Sequence, residues 1–163
     1  MIGHDPSPRE LAHLMATRLD YLPAAVAEST DYRVLPGVAE LLPSLGPRGY
    51  LLGLTTGLVE AAAHIKLARG NLAKYFQCGG YGSDSPDRTE LTRLGIQRVG
   101  VVLGRPLDPQ QTWIVGDTPR DIAAAHGAIA IGVASGRYTT KALRDAGADH
   151  VLSHSPTNSR CDR

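Results

Sequence analysis

The chain has 163 residues, 42% of them apolar and 20% charged, and a formal net charge of +1 at pH 7. That length suits one ordinary domain with a sizeable core, and the near balance of charge gives no electrostatic case for a nucleic-acid or membrane-surface partner. Two cysteines far apart, Cys78 and Cys161, argue against a disulfide framework or a zinc knuckle. No basic stretch followed by an apolar run opens the chain, and no window approaches a membrane span, so the expected compartment is cytoplasmic.

Ser7-Pro8-Arg9-Glu10 reads as a capping box with proline at the first helical position, and Leu11, Leu14, Met15, Leu19 and Leu22 follow at helical spacing. The spacing predicts a helix of about four turns ending near Pro23, with Ala24 to Ala27 as a second piece beyond the proline kink. After Leu35-Pro36-Gly37, the positions Val38, Leu41, Leu42 and Leu45 predict a short helix stopped by Gly46-Pro47.

From Gly49 onward, strand and helix patterns alternate. Tyr50 to Thr55 reads as a strand and Leu58 to Arg69 as a helix closed by Gly70; Tyr75 to Tyr81 is strand-like and Pro86 to about Ile96 helical. Thr112 to Gly116 and Pro119 to Ala125 form the next strand and helix. Ile129 to Ala134 and Thr140 to Ala146 follow, and His150 to Ser153 is a last short strand. Val99 to Leu103 fits either a helix extension or a spare strand, and Ser155 to Arg163 reads as a frayed polar tail. Such alternation predicts an α/β fold with a parallel sheet covered by helices.

In a parallel sheet, ligands bind outside the carboxyl ends of the strands. Two stretches fall there. At the end of the first strand stand Thr56 and the backbone N–H groups of Gly57 and Leu58, a ready anion site at a helix N-terminus; taken alone, capping of its own helix accounts for Thr56 without any ligand. At the end of a later strand, Gly116-Asp117 precedes a helix start at Thr118-Pro119, with Asp121 one turn on. Asp121 has a structural role open to it as the far half of a capping box, whereas Asp117 lies before the cap, where the helix does not need it. A carboxylate at a strand end beside an anion site suits Mg2+, which takes one or two carboxylates plus phosphate oxygens.

Thr55-Thr56-Gly57, Gly116-Asp117-Thr118-Pro119-Arg120-Asp121, and the intervening Cys78-Gly79-Gly80-Tyr81-Gly82-Ser83-Asp84-Ser85-Pro86-Asp87-Arg88 together resemble the haloacid dehalogenase (HAD) superfamily. The resemblance is to its phosphoglycolate-phosphatase-like and β-phosphoglucomutase-like members, and runs from Leu35 to about Leu152. It implies a Rossmann-like three-layer α/β/α core over residues 35–154, a remnant of a helical cap over residues 1–34 and a disordered tail over 155–163. It also implies a Mg2+-dependent phosphatase acting on a small phosphorylated metabolite. By resemblance Thr56 holds the phosphoryl group with help from the Gly57 N–H, Asp117 is the Mg2+ ligand, and Asp121 orients water or the basic residue. Ser135-Gly136 resembles a loop near the same site.

The family's basic residue is usually lysine. Lys66 lies ten residues beyond Thr56, about 15 Å along a helix and too far to touch the phosphate. Arg88 stands in the region where that residue enters, with a guanidinium able to grip phosphate bidentately; a solvated first-turn arginine is the alternative. Absent from the chain is the family's first motif, an apolar strand ending in Asp-x-Asp that supplies nucleophile and general acid. Without it, Thr56, Arg88 and Asp117 bind and neutralise but do not attack. The same strand lies mid-sheet in the family, between the strands bearing the threonine and the Gly-Asp. Its loss predicts two unpaired strand edges and poor stability unless a segment such as Val99 to Leu103 fills the slot. Two further departures are an Ile122-to-Ala130 segment shorter than in relatives and Leu58 where a polar residue is frequent. A non-catalytic or truncated relative that binds phosphate or a protein partner is the second reading. A Rossmann-type nucleotide module is disfavoured because no Gly-x-Gly-x-x-Gly opens a helix.

Overall fold

The computed structural model describes residues 5–153, so the polar tail from Ser155 lies outside the described residues. The chain forms two compact units, one of residues up to Leu52 with Leu58–Gln77, the other of Gly53–Gly57 with the residues from Cys78 onward.

The first unit holds three helices, α1 (Pro8–Glu28), α2 (Val38–Leu45) and α3 (Glu60–Arg69). The expected capping box opens α1: Ser7 Oγ accepts from the Glu10 N–H at 3.3 Å, and Glu10 Oε2 accepts from the Ser7 N–H at 2.8 Å. The helix does not end near Pro23 but runs on to Glu28. Pro23 lies on an exposed side of α1, where the carbonyl that loses its partner one turn earlier can bond to water, so the proline is tolerated. The end of α1 is tied to α3 by Arg69, whose guanidinium donates to the carbonyls of Val26 and Ser29 and lies 4.6 Å from the centre of the Tyr32 ring. The Tyr32 hydroxyl in turn donates to the Lys66 carbonyl at 2.8 Å.

The second unit holds β1 (Gly53–Thr56), β2 (Cys78–Tyr81), α4 (Arg88–Leu103), β3 (Trp113–Gly116), α5 (Pro119–Ala123), β4 (Ile129–Ala134), α6 (Thr140–Asp145) and β5 (His150–Ser153). Every pairing is parallel, as the alternation predicts. Among the described residues the strands form two sheets, β1-β2 and β3-β4-β5, with β1 and β3 each paired on one side there. Val99 to Leu103 does not supply a strand between them: it completes α4, which ends on Gly104 in the left-handed conformation (φ 66°). The local reason is packing. A Cβ on Gly53 would stand 2.9 Å from Val99 Cγ2, and one on Gly95 would stand 3.1 Å from Thr55 Cγ2, so α4 lies hard against β1 along this stretch. Tyr75, expected in a strand, ends a short 3-10 turn (Ala73–Tyr75) ahead of β2.

The core of the three-stranded sheet is Ile122, Ala125, Ala130 and Leu143, with Ile114, Ala134, Val151 and their neighbours packed around it. The register pairs Trp113 with Ile129 and Val115 with Ile131, which places these four on the sheet face opposite Ile114 and Ala130. That opposite face is the more open one, Val115 being 62% exposed. No helix among the described residues is long and apolar enough to cross a membrane.

Two outcomes are expected. Leu143 is fully buried, so Leu143→Ala lowers the unfolding free energy by about 2–5 kcal/mol in urea titrations. In native-state hydrogen exchange, the amides of β4, flanked on both sides, outlast those of the edge strands β1 and β3.

Candidate functional site

The carboxyl ends of β1 and β2 are in register, Thr56 beside Tyr81. α3 begins at Glu60 rather than Leu58, and its N-cap is Val59 with no side-chain capping bond. Thr56 is therefore not the cap of the helix that follows it. Gly57 comes next, and the loop after β2 presses directly on it. A Cβ on Gly82 would overlap the Gly57 carbonyl oxygen and stand 2.6 Å from its carbon, so only glycine fits.

At the end of β3, Asp117 is exposed, and the described contacts give its carboxylate no hydrogen bond or ion pair. It lies over the loop after β4: a Cβ on Gly136 would stand 2.9 Å from Asp117 Oδ2. Asp121 is the opposite case, buried to 7% exposure and fully engaged. Its Oδ2 accepts from the Thr118 hydroxyl at 2.8 Å and the Thr118 N–H at 3.2 Å, while Thr118 Oγ1 accepts from the Asp121 N–H. This is a complete capping box, with aspartate in the place more often held by glutamate. Oδ1 accepts from Arg88 Nε at 2.7 Å and stands 2.5 Å from Nη2. Asp121 thus both caps α5 and holds the Arg88 guanidinium. Its backbone turns so tightly under β3 that a Cβ on Gly116 would overlap the Asp121 Cβ.

The structure thus joins Arg88 to Asp121 and sets Asp117 at the adjoining strand end, while Thr56 and Gly57 belong to the neighbouring two-stranded sheet. Arg88 is no solvated first-turn arginine: its side chain is 28% exposed and two of its nitrogens are committed to Asp121. Lys66 is exposed on α3, in the other unit. Among the described residues no three His, Cys, Asp or Glu side chains converge as a metal cage. A single carboxylate is still a fitting donor for Mg2+, which commonly completes its shell with phosphate oxygens and water.

One constellation escaped the sequence reading. Arg98, ten residues beyond Arg88 on α4, places Nη1 2.7 Å from Asp84 Oδ2 and Nη2 2.8 Å from Asp84 Oδ1, a two-pronged ion pair. Nη1 also donates to the Gly79 carbonyl at 2.6 Å, and Asp84 Oδ2 accepts from the Tyr81 N–H at 2.9 Å. The Arg98 hydrogen bonds and that N–H hold the Asp84 carboxyl down at about 2, below its ordinary 3.8. Fourteen residues separate the partners, so no local spacing announces them.

Removing Asp121 takes away a cap and leaves Arg88 half-buried without its partner. Asp121→Ala should lower the unfolding free energy by about 2 kcal/mol or more, and Asp121→Asn, which keeps a capping oxygen, by less, in urea titrations at neutral pH. Asp84 contributes stability in full above its ordinary pKa and loses it as pH falls through about 2. Between those limits the urea midpoint of the parent chain therefore drops more steeply than that of Asp84→Asn.

The family model for haloacid dehalogenase-like hydrolases matches residues 7–134. Comparison with curated proteins gives no match. Among solved structures, a predicted phosphatase from Clostridium acetobutylicum is similar at a TM-score of 0.67 and 19% identity, over 93% of this chain and 68% of that one. A predicted phosphoglycolate phosphatase from Haemophilus somnus is similar at 0.67 and 22%, over 90% and 64%. A hydrolase from Pseudomonas syringae is similar at 0.66 and 22%, over 94% and 70%. At these identities the structures establish the shared fold, and the chain spans roughly two thirds of each. The match over residues 7–134, together with the strand-end Thr56 and Gly116-Asp117 elements, places the chain in the haloacid dehalogenase-like hydrolase family.

Proposed function

We propose that this chain carries the phosphate- and magnesium-binding half of a phosphatase site for a small phosphorylated metabolite. The observation that carries the reading is the contrast between two neighbouring acids. Asp121 is buried and committed to Thr118 and Arg88, whereas Asp117 is exposed at the strand end with no described partner. Asp117 would hold Mg2+, which on binding neutralises phosphate charge and polarises the phosphoryl oxygens. The Thr56 hydroxyl and the Gly57 N–H would bind the phosphoryl oxygens, and the remaining arm of the Arg88 guanidinium would add charge, its plane fixed by Asp121.

The second reading, a protein that binds phosphate without cleaving it, is favoured by one specific observation. Among the described residues no strand lies between β1 and β3, and no Asp-x-Asp ends any of the five strands. Phosphoryl transfer through an aspartyl-phosphate needs that carboxylate. Purified protein assayed with p-nitrophenyl phosphate and Mg2+ separates the two. Turnover abolished by Asp117→Asn establishes the hydrolase. No turnover, with Mg2+-dependent binding of inorganic phosphate by calorimetry that Asp117→Asn weakens, establishes the binder. Turnover that survives Thr56→Val combined with Asp117→Asn rejects the site assignment.

A further inference from the structure

The contacts of the Arg98–Asp84 pair lead step by step to the proposed phosphate loop. α4 is seated on β2 so closely that a Cβ on Gly80 would overlap the Leu91 carbonyl oxygen. From that fixed helix, Arg98 reaches the Gly79 carbonyl within β2 and both oxygens of Asp84 beyond its end. Asp84 in turn closes the turn after β2, its Oδ2 accepting from the Tyr81 N–H and its own N–H donating to the Tyr81 carbonyl at 2.8 Å. Within that turn sits Gly82, whose backbone bears on the Gly57 carbonyl. The fork of the guanidinium matters here, because two parallel bonds fix direction as well as distance, which a lysine cannot do.

We infer that Arg98 and Asp84 are positioning residues for the phosphate loop: their clasp holds the turn after β2 against Gly57 and so fixes the peptide that follows Thr56. The inference rests on the proposed phosphate role of Thr56 and Gly57 for its consequence, but not for its geometry. Small displacements of such a loop weaken ligand contacts far more than they weaken the fold.

The test uses the full chain, with amide exchange followed by NMR and inorganic phosphate titrated by calorimetry in the presence of Mg2+. In Arg98→Met and in the gentler Asp84→Asn, the Gly57 and Gly82 amides should exchange about tenfold faster while Ile131 and Val133 in β4 keep their rates, the mark of a local opening. Phosphate affinity should fall about tenfold in both variants, and Arg98→Lys should recover only part of it, since it restores charge without the fork. Gly82→Ala, which displaces Gly57 directly and leaves the clasp in place, should reproduce the affinity loss. The inference is overturned if Gly57 exchange is unchanged in both clasp variants, or if β4 accelerates in step with it, because the clasp is then a staple for the turn or for the whole fold. Should the parent chain bind no phosphate, the proposed function fails, and the exchange measurements still decide whether the clasp positions Gly57.

Discussion

The carboxylate of Asp121 joins what the backbone leaves apart. Among the described residues strand pairing stops between β1-β2 and β3-β4-β5, and no ladder of main-chain hydrogen bonds there transmits order from one sheet to the other. Asp121, on the first turn of α5 just after β3, accepts from Arg88 on the first turn of α4 just after β2. One side chain thereby fixes the relative setting of the two helix starts that border the site. Burial strengthens the ion pair and raises the penalty of losing either partner, and the capping bonds from Thr118 satisfy the second carboxylate oxygen. Asp117, four residues before Asp121, stays exposed and outside these contacts.

That division of labour between two acids four residues apart was only half legible in the sequence. Thr118-Pro119 marked the helix start, which fixed Asp117 outside the helix and Asp121 inside it, and left open whether Asp121 served the cap or the site. In the structure it meets both Thr118 and Arg88, through different oxygens. β4, β5 and α2 lie within the bounds their patterns indicate, because each is a compact apolar run closed by glycine or polar residues. The misreadings come from the surroundings of each stretch, solvent in one case and packing in the other. Pro23 breaks isolated helices, but on an exposed flank of α1 water replaces the lost bond. Val99 to Leu103 is β-branched enough for a strand, but the close seat of α4 on β1 and β2 carries the helix through it. The Arg98–Asp84 clasp could not be read at all, since a pair fourteen residues apart has no periodicity to betray it.

Glycine determines how near the site's pieces can come. Gly82 against Gly57, Gly116 against Asp121 and Gly136 against Asp117 all occur at strand ends, where three loops converge on positions a side chain would fill. In the first, main chain meets main chain; in the other two a glycine backbone lies against an aspartate side chain.

The edge position of β3 also bears on how the molecule behaves in company. Its sequence, Trp113-Ile114-Val115-Gly116, is apolar throughout and carries neither the lysine nor the proline by which edge strands commonly discourage further pairing. Such a strand is a template for another extended chain, and unlike β5, whose outer end bears His150, it has no polar side chain of its own to oppose it. Concentration therefore bears on this protein through that strand: the closer molecules crowd, the more often another extended segment meets it.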